Sequence, residues 1–204
     1  MPTGTPARAA LAAAAAGRSV QLVGRTGDDP TADGLLLSLA QGGVGHAALL
    51  RDTSLATPLI ADPPFDDPGD TSPDGEVEGP ADAAPEPAAV HSLDAADVDL
   101  GLRYLTEFAV LILAEPAGPE VIRVVADAAR WNAAKLVIVV EAGTDATDGL
   151  PSDAIVFEAP IDDRDGAFAA LVGRFAAALD DGTESADAFR ESISAEGWTQ
   201  ANSD

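Results

Sequence analysis

Three short, largely apolar stretches in the second half of the chain constrain its fold more than any other feature. They are FAVLILAE (108–115), KLVIVVEA (135–142) and DAIVFEA (153–159). A strand with one face in water alternates apolar and polar residues, whereas a strand that is buried on both faces does not. Because predicted helices separate these runs, the sequence predicts an α/β fold. We expect a three-layer sandwich in which a mostly parallel sheet is covered by helices on both faces.

Capping and turn residues place the remaining elements. A helix start is indicated by Pro in the first turn or by Asp or Thr at the N-cap, and a helix end by Gly after the last turn. The predicted helices are 6–17, one from about Pro30 to Gly42-Gly43, 93–105 with Asp94 as N-cap, 118–132, 163–181 and 184–196 with Thr183 or Ser185 as cap. Further strands are expected at 19–24, at 45–52 and at 57–61.

Residues 62–87 differ in composition from the rest of the chain. They contain seven of the fifteen prolines, nine acids and no base. Such a segment cannot bury enough apolar surface to pack. We therefore expect a single domain over residues 1–204 with an acidic, Pro-rich, flexible insertion at 62–87.

The charge balance excludes some functions. The chain has 35 acids and 11 bases, a formal net charge of -24, and no cysteine. This acidity is typical of proteins from a high-salt cytoplasm, so we expect a halophilic, cytoplasmic protein. Nucleic-acid binding is not expected because no cluster of Lys and Arg is present. We also expect no membrane span and no metal site, since His46 and His91 are isolated.

The order of several short landmarks resembles the ribokinase-type (PfkB) family of carbohydrate kinases. Residues 3–60 carry Gly27-Asp28-Asp29, Gly43-Val44 and Thr57 after an Ala-rich helix, and 93–143 are similar to the central strand–helix–strand run of that family. The closing helices, 166–194, resemble the final pair of the family. The resemblance covers most of the chain and implies a ribokinase-like core.

The resemblance also implies a degenerate active site. The late Gly-Ala-Gly-Asp motif of the family aligns without a gap onto Gly166-Ala167-Phe168-Ala169. In the family, backbone N–H groups of this turn hold the phosphate charge and the Asp removes a proton from the sugar hydroxyl. Ala169 cannot accept a proton, and Phe168 is expected to place a large side chain where backbone must approach phosphate.

Other parts of the family pattern are shortened or missing. The sugar-holding turn corresponds to residues 3–8, where Gly4 is kept and the family Asn is Arg8. The first strand of the family and its substrate-binding Asp have no counterpart. The lid corresponds to the acidic insertion, and only TDATDGL (144–150) stands where the family has most of its nucleotide pocket.

Several candidate residues have two interpretations. Asp162, Asp163 and Asp165 precede the altered turn; we expect them to cap the helix rather than to replace the missing base. Gly24-Arg25-Thr26-Gly27 resembles half of a phosphate loop, but an ordinary turn explains it. Glu115 and Glu141 follow neighbouring strands at the carboxyl edge, where open α/β sheets bind ligands. Trp131 is expected to serve helix packing, and Trp198 to anchor the tail.

These observations favour a catalytically inactive homologue of sugar kinases, a pseudokinase that acts in binding or assembly. Its candidate substrate- or anion-binding residues are Gly4, Arg8, Glu115, Glu141, Gly166 and Ala167. One alternative is an active carbohydrate or nucleoside kinase, an ATP-dependent phosphotransferase that would need ATP and Mg²⁺. Another is a small-ligand binding module at the carboxyl edge of the sheet. We expect the protein to form a homodimer. An active kinase or another protein is the alternative partner.

Overall fold

A computed structural model describes residues 4–57, 93–105, 107–143, 149–163 and 165–195. The predicted insertion at 62–87 and Trp198 lie outside these residues, as does most of the strand expected at 57–61. Helices and strands of the described part follow in this order: α1 (Thr5–Ala15), β1 (Val20–Gly27), α2 (Pro30–Gln41), β2 (Val44–Asp52), α3 (Ala95–Arg103), β3 (Val110–Leu113), α4 (Pro119–Asn132), β4 (Lys135–Val140), β5 (Ile155–Glu158), α5 (Ala167–Asp180) and α6 (Ser185–Ala195).

The strands are all parallel, as expected, but they form two sheets. β1 pairs with β2, and β3, β4 and β5 form a second sheet in that order. β1 runs three residues beyond its predicted end because its ladder with β2 continues to the pair Gly27 and Asp52. The sequence favoured one sheet; among the described residues no strand joins β1 to β3, so the sheet is divided at that point.

The central strand β4 shows why the apolar runs do not alternate. Leu136 and Ile138 pack into a cluster with α3 and α4 on one face of the sheet. Val137 and Val139 point to the other face and pack against α5. Both sets are almost completely buried. Consecutive residues therefore serve opposite helix layers, and the predicted three-layer α/β architecture is confirmed.

Helices α1 and α5 pack closely through small residues. An added Cβ at Gly173 of α5 would collide with the backbone oxygen of Ala9 and would lie 2.8 Å from the Cβ of Ala12. Ala9 and Ala13 of α1 are buried, as is Ala176 of α5. The absence of a side chain at Gly173 lets the two backbones come together, and this brings the N-terminal turns of both helices to the same side of the domain.

The N-terminus of α2 is held by a carboxylate. Asp29 Oδ1 accepts a hydrogen bond from the N–H of Ala32 at 2.8 Å, and Oδ2 accepts one from the N–H of Thr57 at 2.7 Å. The Thr57 hydroxyl also accepts from the N–H of Gly27 at 3.1 Å and is bonded to Thr26 at 2.8 Å. The N–H donors of Thr57 and then Ala32 favour the ionised form, so they lower the pKa of Asp29.

One expectation about packing is wrong. Trp131 lies in the last turn of α4 and is 90 % exposed, so it does not serve helix packing. The buried stripe of this amphipathic helix is formed by Val121, Val125, Ala126 and Ala129. Trp131 is outside that stripe, because the helical period places it on the solvent side.

We expect Gly173→Ala to destabilise the fold by about 1–3 kcal/mol, because the new methyl group meets a backbone oxygen that cannot rotate away. Gly34→Ala in α2 is the matched control, since a Cβ at Gly34 meets nothing within 4 Å. The free energy of unfolding of that control should rise by roughly 0.5–1 kcal/mol from helix propensity alone. Urea unfolding of both variants measures the difference. Equal stabilisation of the two would show that the helix crossing is not tight.

We expect the stabilising effect of Asp29 to depend on pH in a defined direction. The folded pKa is lowered, so its contribution is complete above the ordinary value, about 3.9, and is lost as the pH falls through the folded value. Asp29→Asn should therefore be less stable than wild type at neutral pH, with a gap that narrows below about pH 4. Thermal unfolding across this range tests it. Asp153→Asn, at an exposed position before β5, controls for general charge loss. A stability difference between wild type and Asp29→Asn that does not change with pH would contradict a lowered pKa for Asp29.

Candidate functional site

The turn before α5 is shaped by Gly166. This residue has φ of 76°, in the left-handed region, and it stands at the N-cap. An added Cβ there would lie 2.7 Å from Nη1 of Arg8. Nη1 of Arg8 donates a hydrogen bond to the backbone oxygen of Asp163 at 3.0 Å. The left-handed backbone conformation favours glycine here, and Arg8 fastens the first turn of α1 to the loop before α5.

Carboxylates of the same loop occupy the free N–H groups of α5. Asp163 Oδ1 accepts from the N–H of Phe168 at 2.8 Å, and Oδ2 accepts from the N–H of Ala169 at 3.0 Å. Asp165 Oδ1 accepts from the N–H of Ala167 at 3.2 Å. The expectation that acids before this helix act as caps is confirmed for Asp163 and Asp165. The donors that could have held an external anion are already bonded to acceptors of the chain itself.

The side chain of Phe168 does not obstruct this turn. It is 7 % exposed and belongs to a cluster with Ala9, Val139 and Val172. Its ring lies edge-to-face with Phe157, with centroids 6.5 Å apart. The predicted steric block is therefore wrong, because the ring turns into the core. What matters at this position is the backbone, because the N–H group of Phe168 is bonded to Asp163.

Ala169 follows in the same turn and is fully buried, at 0 % exposure. A methyl group can neither accept nor donate a proton. This position, which the resemblance assigned to the base, therefore supplies packing rather than proton transfer.

Gly4 and Glu115 lie together at the N-terminus of α1. The carboxylate oxygen Oε1 of Glu115 is 4.0 Å from the position of a Cβ added at Gly4. Glu115 as a residue is exposed, yet neighbouring protein atoms remove part of the water around its carboxyl group. This partial desolvation raises the pKa of Glu115.

The other candidate residues, Glu141 and the segment 24–27, lie outside the turn before α5. Glu141 directly follows β4 and is exposed. The nearby N–H of Gly143 is bonded to Glu158 at 2.7 Å. Arg25, within the segment that resembles half of a phosphate loop, forms an ion pair with Asp97 of α3. That segment lies within the end of strand β1, so its basic residue joins strand to helix.

A cavity of about 970 Å³ extends from Glu115 into the domain. It lies between β1 of the first sheet and β3 of the second sheet, where no strand joins the two sheets in the described residues. Lining residues include 19–23 and 107–115, together with Pro6, Ala9 and Ala13 of α1 and Val98 and Leu102 of α3. Apolar side chains dominate this lining. The sequence held no direct signal for this cavity, because it arises from how the two sheets are spaced.

Within the described residues, no group of three or more His, Asp or Glu residues is placed to hold a metal ion. No helix in the same ranges is long and apolar enough to cross a membrane.

Comparisons with known proteins agree on the fold. No family model matches the sequence, and no curated protein matches it. A candidate ribokinase II from E. coli, solved in its apo form, is similar in structure with a TM-score of 0.62 and 13 % identity, over 96 % of this chain and 81 % of that one. A PfkB protein from Polaromonas sp. JS666 gives a TM-score of 0.57 at 13 % identity, over 95 % and 84 %.

Identities this low establish architecture and leave activity open. The matched elements span nearly all of this chain, and both solved chains are longer than its 204 residues. The protein therefore has the α/β fold of ribokinase-like sugar kinases.

Proposed function

We propose that this protein is a single ribokinase-like domain that acts in binding or assembly and does not transfer phosphate. The observation that carries the proposal is the occupation of the α5 N-terminus by Asp163 and Asp165. A phosphate arriving at this turn would have to displace a carboxylate that makes two N–H bonds. It would also meet the negative charge of the displaced side chain.

The loss of a proton acceptor supports the same proposal. Removal of a proton from a hydroxyl needs a base within hydrogen-bond reach. Ala169 provides none, and its full burial leaves no space beside it for water to act instead. The carboxylate nearest in the turn, Asp163, is engaged as a helix cap. Any catalytic use of Asp163 would cost the helix its two bonded donors.

An active kinase is the first alternative, and ATP with Mg²⁺ would be its cofactors. It is less favoured because both the anion site and the base are altered together. A small-ligand module at the carboxyl edge is the second alternative. Glu115 favours it, since a carboxyl group with a raised pKa beside a large cavity is typical of ligand sites.

Self-association is the form of assembly that we favour, in the high-salt cytoplasm that the acidic composition indicates. β5 pairs only with β4 in the described part of the chain. Large apolar side chains are exposed near it, at Val156 (45 %), Ile161 (97 %) and Phe189 (41 %). A strand edge with apolar surface beside it favours pairing. Molar salt, with a Debye length of about 3 Å, reduces the repulsion between two acidic chains.

The phosphotransfer proposal is tested with purified protein, ATP and Mg²⁺ against a panel of sugars and nucleosides. We expect no turnover above the protein-free rate. Asp163→Ala exposes the two N–H groups, but it should also remain inactive because Ala169 still offers no base. Its melting temperature should fall relative to Asp153→Ala, since about 1 kcal/mol of capping is lost. Turnover that scales with protein and disappears in Gly166→Val would refute the proposal.

Self-association is tested by light scattering in molar KCl at tens of micromolar protein. Wild type should have the mass of two chains of 20.6 kDa. Val156→Lys places a charge at the β5 edge and should give the mass of one chain. Leu37→Lys, on exposed α2, is the matched control and should remain dimeric. A single-chain mass for wild type would contradict a homodimer.

A further inference from the structure

The cavity between β1 and β3 has the form of a slot for a strand. Two runs of strand residues line it: 19–23, which end in the first residues of β1, and 107–115, which include β3. β1 is paired on its other side with β2, and β3 with β4. Within the described ranges, neither strand has a second partner. Both walls therefore present backbone N–H and C=O groups toward the same space.

The helix layers above and below the slot are already in place. Ala9, Ala10 and Ala13 of α1 cover one face, and Val98 and Leu102 of α3 cover the other. A segment lying in the slot would be buried on both faces. It should therefore be apolar at successive positions, as β4 is, rather than alternating.

The size of the slot agrees with such a segment. A strand rises about 3.3 Å per residue, neighbours lie about 4.8 Å apart, and layers are about 10 Å apart. Five residues of strand thus occupy a block of roughly 800 Å³. The cavity has about 970 Å³, and its β1 wall is five residues long.

Charge is confined to the borders of the slot. The charged lining residues are Arg18, Glu107, Glu115 and Asp180, and all of them lie outside β1 and β3 in sequence. Arg18 forms an ion pair with Asp180 at 3.5 Å and with Asp181 at 2.5 Å. The middle of the slot therefore fits an uncharged occupant, because a charge buried there would have no partner.

We infer that this domain binds an extended, uncharged apolar segment of another polypeptide, which enters the slot as a strand and joins the two sheets. The inference rests on the proposed binding or assembly function and gives it a partner chemistry. A small apolar ligand would fill the same volume but leave both backbone edges unbonded. Each buried group without a hydrogen bond costs about 1–3 kcal/mol. A strand satisfies the groups on both walls, as in β-strand addition.

The test uses a capped synthetic peptide, SGVLVAVSG, in molar KCl. Calorimetry measures its affinity, and amide hydrogen exchange followed by mass spectrometry locates it. We expect exchange in residues 19–23 and 110–113 to slow by about tenfold or more when the peptide binds. Exchange in β5, on the far edge of the second sheet, should be unaffected by the peptide.

Two controls separate strand pairing from the filling of an apolar cavity. The same peptide N-methylated at alternate residues keeps its side chains but loses donors, and should bind at least about tenfold more weakly. Ala109→Glu introduces a charge at an exposed residue that lines the slot, and should weaken binding by about tenfold. Ala40→Glu, an exposed site on α2 away from the slot, should leave the affinity unchanged.

Each other outcome overturns the inference. Equal binding of the N-methylated peptide would indicate a small-ligand cavity. Slow exchange of both walls without peptide would show that the edges are already paired. The pairing would be with a second copy if Ala109→Glu halves the mass, and within the chain if Ala109→Glu leaves the mass unchanged. If the peptide does not slow amide exchange in residues 19–23 and 110–113, the slot is closed to a strand. None of these results depends on phosphotransfer, so failure here and failure of the pseudokinase proposal are distinguishable.

Discussion

The close crossing of α1 and α5 is the interaction on which the rest of the domain depends. It is possible only because Gly173 lacks a side chain where it meets the backbone of Ala9. From that contact outward, the N-terminal turns of both helices come to the same side, and Arg8 reaches the loop before α5. A larger residue at the crossing would separate the helices and move the candidate site and the core beneath it together.

The candidate site shows how the N–H donors at a helix N-terminus can be bonded by carboxylates of the same chain. An α-helix N-terminus offers N–H donors and a partial positive charge, which suits phosphate. In this chain the donors of Phe168 and Ala169 are satisfied by Asp163, only a few residues earlier. The same two hydrogen bonds stabilise the helix and occupy donors that an external anion would need.

The division of the sheet has a different consequence. An edge strand leaves one row of backbone N–H and C=O groups without a strand partner, and β1 and β3 each have one partner in the described chain. The helix layers nevertheless continue across the gap, so residues of α1 and α3 line the space between the strands. Glu115 stands at the border of this space and at the start of α1. The cavity therefore reaches the first turn of α1, which Arg8 fastens to the loop before α5.

The sequence by itself determined the fold class, the order of nearly all elements and the caps at Asp94 and Asp163, because burial period and capping are local properties of the chain. It also placed Ala169 at the position that the resemblance assigns to the base. Tertiary structure alone decided that Phe168 turns into the core, that Trp131 faces water and that the sheet is divided. Those outcomes depend on which surfaces of distant elements meet, and a one-dimensional pattern contains no distance between β1 and β3.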